Sequence, residues 1–199
     1  MALARPVALA ALIVGLALVA ALDPRTSGAM GNRALLVGDS IFFQTREELD
    51  AVLTDEGWQP HVAALPATTI ADWVEPLGAL VDEHAPDVVV VELGTNEDVD
   101  RPDLGHDVLR ILRRLSGVDR VVWLNVQEDA EYPRGAGVIN HVVESSLVWA
   151  DNAELLDFSG HFAGHQEWHA LEPEGVHMSV SGEQELARFV AAALGRAEP

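Results

Sequence analysis

The sequence predicts a three-layer α/β/α domain with a five-stranded parallel sheet. Two observations carry this. Short apolar runs alternate with longer stretches of helical spacing from Ala34 to Leu194. Four consecutive valines, Val88–Val91, form a run apolar in both phases, as expected of a strand covered on both faces. Such alternation argues a parallel sheet with helices on both faces.

The elements follow in order. Asp23–Asn32 is linker-like, with Pro24, Ser27, Gly28 and Gly31. Ala34–Val37 is a buried strand. Ile41–Glu56 is a helix closed by Gly57, and His61–Leu65 the second strand. Ile70–His84 is helical, with Pro76 expected to interrupt it because proline lacks the N–H that the ladder needs. After the valine strand, Asp103–Leu115 places Leu104, Val108, Ile111, Leu112 and Leu115 on one helical face, ended by Gly117. Val121–Val126 is the fourth strand, Val138–Trp149 a helix and Leu155–Phe158 the fifth strand. Gly182–Leu194 is a final amphipathic helix. Trp58, Trp73, Trp123 and Trp149 fall in or beside apolar elements and are assigned to the core, and Trp168 is a candidate cleft wall.

Ahead of this domain, Arg5 precedes Val7–Leu22, a stretch without a charged or polar side chain. A basic residue followed by an apolar run is the pattern of an export signal or anchor. Val19-Ala20-Ala21 offers a small-residue cleavage site. The run is slightly short of the ~20 residues that span a bilayer. The expectation is residues 1–22 as signal peptide or membrane anchor, 23–32 as linker and 33–199 as an extracytoplasmic domain, secreted or tethered. Any membrane contact is through the N-terminal segment alone.

Composition narrows the partners. The 199-residue chain has a formal net charge of −20, with 12 arginines and no lysine. Such a field opposes nucleic acid and anionic lipid and suits a neutral or cationic substrate. With no cysteine, neither disulfides nor thiolate chemistry arise.

Three short motifs carry the chemistry. Gly38-Asp39-Ser40 ends the first strand, and Gly94-Thr95-Asn96 ends the third. Glu174-Gly175-Val176-His177 precedes the last helix. If the order is 2-1-3-4-5, the flavodoxin-like winding, strands 1 and 3 are neighbours and their carboxyl ends line the ligand crevice. Ser40 offers a hydroxyl at a helix N-terminus, where free N–H groups favour a developing oxyanion, or else a plain N-cap. Asn96 offers an amide donor or a turn residue. Glu174 stands three residues before His177, a spacing that lets a carboxylate orient the ring while its other nitrogen meets a serine. Together these are the parts for acyl transfer through a covalent serine intermediate. Gly-x-Ser-x-Gly is missing, so the nucleophile-elbow arrangement does not apply.

From about Arg33 to Leu194 the chain resembles the SGNH hydrolases, or GDSL-type esterases and lipases. The resemblance implies Ser40, Glu174 and His177 as catalytic triad, and Ser40, Ala67 and Asn96 as oxyanion hole. It implies no cofactor and no metal. The stretch around Asn140, Asp157, Trp168 and His177 is also similar to extracytoplasmic members associated with O-acetylation of cell-surface glycans. Two positions depart from the pattern. Glutamate at 174 replaces the usual aspartate, with Glu172 as a competitor. The second block reads Leu65-Pro66-Ala67-Thr68-Thr69, without its glycine; Ala67 is assigned to that place and can donate an N–H, whereas Pro66 in that place would leave the donor absent. The resulting expectation is an ester hydrolase acting on a small ester or an O-acylated glycan. An O-acyltransferase using the same centre and a catalytically degenerate glycan-binding module are the alternatives.

Two further patterns are set aside. His161, His165 and His169 recur every four residues, but His165-Gln166-Glu167-Trp168-His169 has its glutamate one place late for a zinc helix. Gly135-Ala136-Gly137-Val138-Ile139-Asn140 lacks the third glycine of a dinucleotide loop.

Overall fold

A computed structural model of the chain describes residues 31–129, 135–170 and 175–195. The expected signal or anchor and most of the linker lie outside the described residues. Among the described residues no helix is long and apolar enough to cross a membrane.

Five strands form one parallel sheet: β1 (Arg33–Gly38), β2 (Gln59–Ala64), β3 (Val88–Glu92), β4 (Arg120–Leu124) and β5 (Ala153–Leu156). Their order is β2-β1-β3-β4-β5, the flavodoxin-like winding. The helices are α1 (Ser40–Asp55), α2 (Ile70–Trp73), α3 (Pro76–His84), α4 (Leu104–Arg114), α5 (Ala136–Leu147), α6 (Phe158–Phe162) and α7 (Val180–Leu194). Two hydrophobic cores lie on the two faces of the sheet. Alternation along each strand divides the residues between them. Leu35, Val37, Val89, Val91, Val121 and Trp123 pack towards α2–α5. Ala34, Leu36, Val88, Val90, Val122 and Leu124 pack towards α1, α6 and α7. The valine run is therefore apolar in both phases because both phases are buried.

Pro76 splits the predicted helix 70–84 as expected, standing at the first turn of α3, where its missing N–H has no helical acceptor to lose. The fifth strand runs two residues earlier than predicted. Asp157 ends it by capping α6, its side chain accepting from the Gly160 N–H. Phe158 thus belongs to a helix, not to the strand. Trp149 corrects another expectation: at 80% exposure it stands outside the core, past the end of α5. Trp58, Trp73 and Trp123 are buried.

Candidate active site

Ser40, Ala67 and Asn96 are carried on the loops that follow β1, β2 and β3, and His177 on the loop before α7. The carboxyl edge of the sheet thus gathers all four. Ser40 is the first residue of α1, and the cap is Asp39, whose Oδ1 accepts from Ile41 N at 3.1 Å. Because Asp39 performs the capping, the Ser40 hydroxyl is left for other partners. It lies 3.1 Å from His177 Nε2. Gly38 lets the chain turn so sharply into the helix: a Cβ there would stand 2.5 Å from the Phe42 Cβ.

His177 is held in place by its neighbours. Val176 and Met178 on either side are buried. Gln44, one helical turn beyond Ser40 on α1, donates to the Met178 carbonyl at 2.9 Å and accepts from Met178 N at 3.3 Å. This amide pair fixes the loop against the same helix that carries Ser40. The sequence reading missed Gln44; its spacing of four from Ser40 on one helical face was the available signal. Glu174 and Glu172 lie outside the described residues.

Asn96 follows Gly94, whose φ of +135° and tight approach to Val126 exclude a side chain. The Asn96 Nδ2 donates to Asp39 Oδ2 at 3.0 Å and to the Thr68 carbonyl at 3.1 Å. The amide is thus poised between the β1 and β2 loops, with both hydrogens engaged. To donate to an oxyanion it must turn one of them away from its present acceptor.

Ala67 occupies the third position of a turn over Leu65–Thr68, with φ +60° and Pro66 before it. A positive φ at this position is what a type II turn demands and what glycine ordinarily supplies. The chain keeps the turn with alanine. Thr68 Oγ1 closes it onto the Leu65 carbonyl at 2.7 Å, and Trp73 Nε1 donates to Thr68 Oγ1 at 2.9 Å. Buried Glu97 braces the same loop by accepting from Ile70 N at 2.6 Å and pairing with Arg101 at 3.1 Å. A left-handed alanine costs about 1–2 kcal/mol. Glycine here would give back only about 0.4–1 kcal/mol in unfolded-chain entropy. Ala67→Gly is therefore expected to raise the melting temperature slightly, against the usual sign for that exchange. A fall in thermal unfolding scans would count against a strained turn.

Electrostatics single out Asp39. Burial raises its carboxyl to about 6, opposed by hydrogen bonds from Ile41 N–H and Glu92 and by the nearby His177. Glu92, the last residue of β3, is pushed well above the ordinary glutamate range by burial and by Asp39.

Asn140, Asp157 and Trp168 of the narrower likeness have partners of their own. Asn140 accepts from Val126 N at 2.7 Å and donates to its carbonyl at 2.8 Å, fixing the loop after β4. Asp157 caps α6 and accepts from Asn125 at 2.8 Å. Trp168 has His165 stacked on it at 3.8 Å and His161 facing it at 5.6 Å.

The architecture is the α/β/α fold of the SGNH, or GDSL-type, hydrolases. Among solved structures, the chain is similar to the lipase/acylhydrolase from Enterococcus faecalis, at TM-score 0.69 and 18% identity, over 84% of this chain and 99% of that one. It is similar to the acetyl xylan esterase AlAXEase, at TM-score 0.68 and 19% identity, over 81% and 99%. It is also similar to the C-terminal catalytic domain of Streptococcus pneumoniae peptidoglycan O-acetyltransferase A, at TM-score 0.63 and 19% identity, over 83% and 94%. At these identities the likeness is one of fold. No family model and no curated protein matches the sequence.

Proposed function

We propose that this chain is a serine esterase that cleaves an ester-linked acyl group through an acyl-enzyme, with acetyl on a carbohydrate as the candidate substrate. The observation that carries this is the 3.1 Å contact between Ser40 Oγ and His177 Nε2 at the N-terminus of α1. Ser40 Oγ attacks the ester carbonyl while His177 takes its proton. The tetrahedral oxyanion receives hydrogen bonds from the Ser40 and Ala67 N–H groups and from Asn96 once it turns. His177 then protonates the leaving alcohol, and a water, activated by the same imidazole, releases the acid. Glu174 is the proposed partner that orients His177. A net charge of −20 favours neutral substrates over anionic ones. The Arg5 and Val7–Leu22 pattern supports work outside the cytoplasm.

The test is hydrolysis of p-nitrophenyl acetate by the purified chain, with acid quenching and mass analysis of the Ser40 peptide. Expected are p-nitrophenol release above buffer and an acetyl adduct on Ser40. Neither signal, from folded protein, would overturn the proposal. The O-acetyltransferase among the structural neighbours motivates a second reading, in which a sugar hydroxyl resolves the acyl-enzyme. Acetylated glycan in place of free acetate, when a glycan acceptor is added, would favour it.

A further inference from the structure

Two buried carboxyls lie directly beneath Ser40, and the proposed reaction uses neither. Asp39 is 0% exposed and Glu92 4%. Glu92 continues the series Val88 and Val90 that faces α1, so its side chain enters the fold under that helix. The Asp39 N–H is shared between the Glu92 carbonyl at 3.2 Å and Glu92 Oε2 at 3.3 Å. Glu92 Oε2 on the Asp39 N–H places the two buried carboxyls side by side. On its far side Asp39 accepts from Ile41 N at 3.1 Å and from Asn96 Nδ2 at 3.0 Å. Among the described residues no arginine pairs with either carboxyl. His177, from the loop before α7, is the titratable group that faces Asp39.

Two carboxyls in contact, away from water, do not both ionise; they hold one proton between them. We infer that Glu92 is a positioning residue that stays protonated and donates its O–H to Asp39, so that Asp39 caps α1 beneath Ser40 and aims the Asn96 amide. The result is one buried chain, Glu92 to Asp39 and Asn96 to Asp39, joining β3, the nucleophile segment and the amide. The Ile41 N–H and the Asn96 amide both donate to Asp39, which favours the charge there and leaves the proton to Glu92. Glutamine at position 92 would donate the same hydrogen bond with no proton to lose. Leucine would fill the space and donate nothing.

The inference has a kinetic arm, which rests on the esterase reading, and a spectroscopic arm, which does not. The full chain, carbon-13 labelled at glutamate carboxyls, is titrated by NMR from mild acid to mild alkali. One carboxyl is expected to remain protonated through neutrality, and its signal to vanish in Glu92→Gln. A Glu92 signal titrating as an ordinary glutamate overturns the inference, whether or not any ester is cleaved. In p-nitrophenyl acetate hydrolysis, Glu92→Leu is expected to lose about 10²-fold in kcat, the scale of a misplaced group, with KM little changed. Glu92→Gln is expected to restore kcat to near the wild-type rate. Equal rates in wild type and Glu92→Leu, or a Glu92→Gln as slow as Glu92→Leu, overturn the inference. If Glu92→Leu does not fold, as judged by circular dichroism, the titration and Glu92→Gln decide alone. A wild-type chain without ester turnover sinks the esterase reading, and the titration still decides the state of Glu92.

Discussion

Replacing Ser40 with alanine is expected to lower kcat for p-nitrophenyl acetate by about 10⁴-fold or more, the scale on which serine triads lose their nucleophile. The variant should fold normally. Ser40 caps nothing: the N-cap hydrogen bond belongs to Asp39, which the substitution leaves in place. Alanine at the first helical position is a good helix former. The melting temperature should therefore move little while the activity falls to the residue left by oxyanion donors and binding. His177→Ala should fall as far, and the double variant no further, because hydroxyl and imidazole act as one unit across their 3.1 Å contact. Burst kinetics on the three variants check this. A folded Ser40→Ala protein with wild-type turnover would remove Ser40 from the mechanism altogether.

The second large effect is expected at Asn96. Losing one oxyanion donor lowers kcat by about 10²–10³-fold, so Asn96→Ala should fall in that range with KM little changed. Unlike Ser40→Ala, it should also destabilise. The amide satisfies Asp39 Oδ2 and the Thr68 carbonyl, and alanine leaves both short of a donor. An unsatisfied buried acceptor costs about 1–3 kcal/mol. Steady-state kinetics together with thermal unfolding separate the two contributions. Lower stability with full turnover would assign Asn96 to tying the two loops together and nothing more. Lower stability with lower kcat would match an amide that both ties the loops and turns to the oxyanion.

These expectations depend unequally on sequence and structure. The sheet was legible because burial on both faces leaves a mark in composition: Val88–Val91 is apolar in both phases, and the observed alternation between two cores explains why. The crossovers were legible because a parallel sheet needs a helix between strands. The meeting of Ser40 with His177 was expected from motif order and strand order, and it is found although 137 residues separate them. Ala67, assigned to the place of the missing glycine, has a φ of +60°, the conformation glycine ordinarily supplies.

Other features were not legible, for physical reasons. The sequence allowed Ser40 to be either cap or nucleophile; a hydroxyl and a carboxylate one residue apart compete for the same N–H groups, and only coordinates show that Asp39 wins. Trp149 reads as core by composition, yet it lies past the end of its helix, where burial depends on what packs nearby rather than on residue type. Phe158 reads as strand until Asp157 turns the chain into α6. Glu92 gave one sign, a carboxylate closing an all-valine strand, but its contact with Asp39 needs β1 and β3 side by side. By itself, then, the sequence determined the class of fold and the edge on which Ser40, Asn96 and His177 meet, because periodicity and motif order are local properties of a chain. Which side chain caps, which is held by Gln44, where the Asn96 hydrogens point and which carboxyls share a proton were decided by tertiary structure, because each depends on atoms brought together from different strands at distances of about 3 Å.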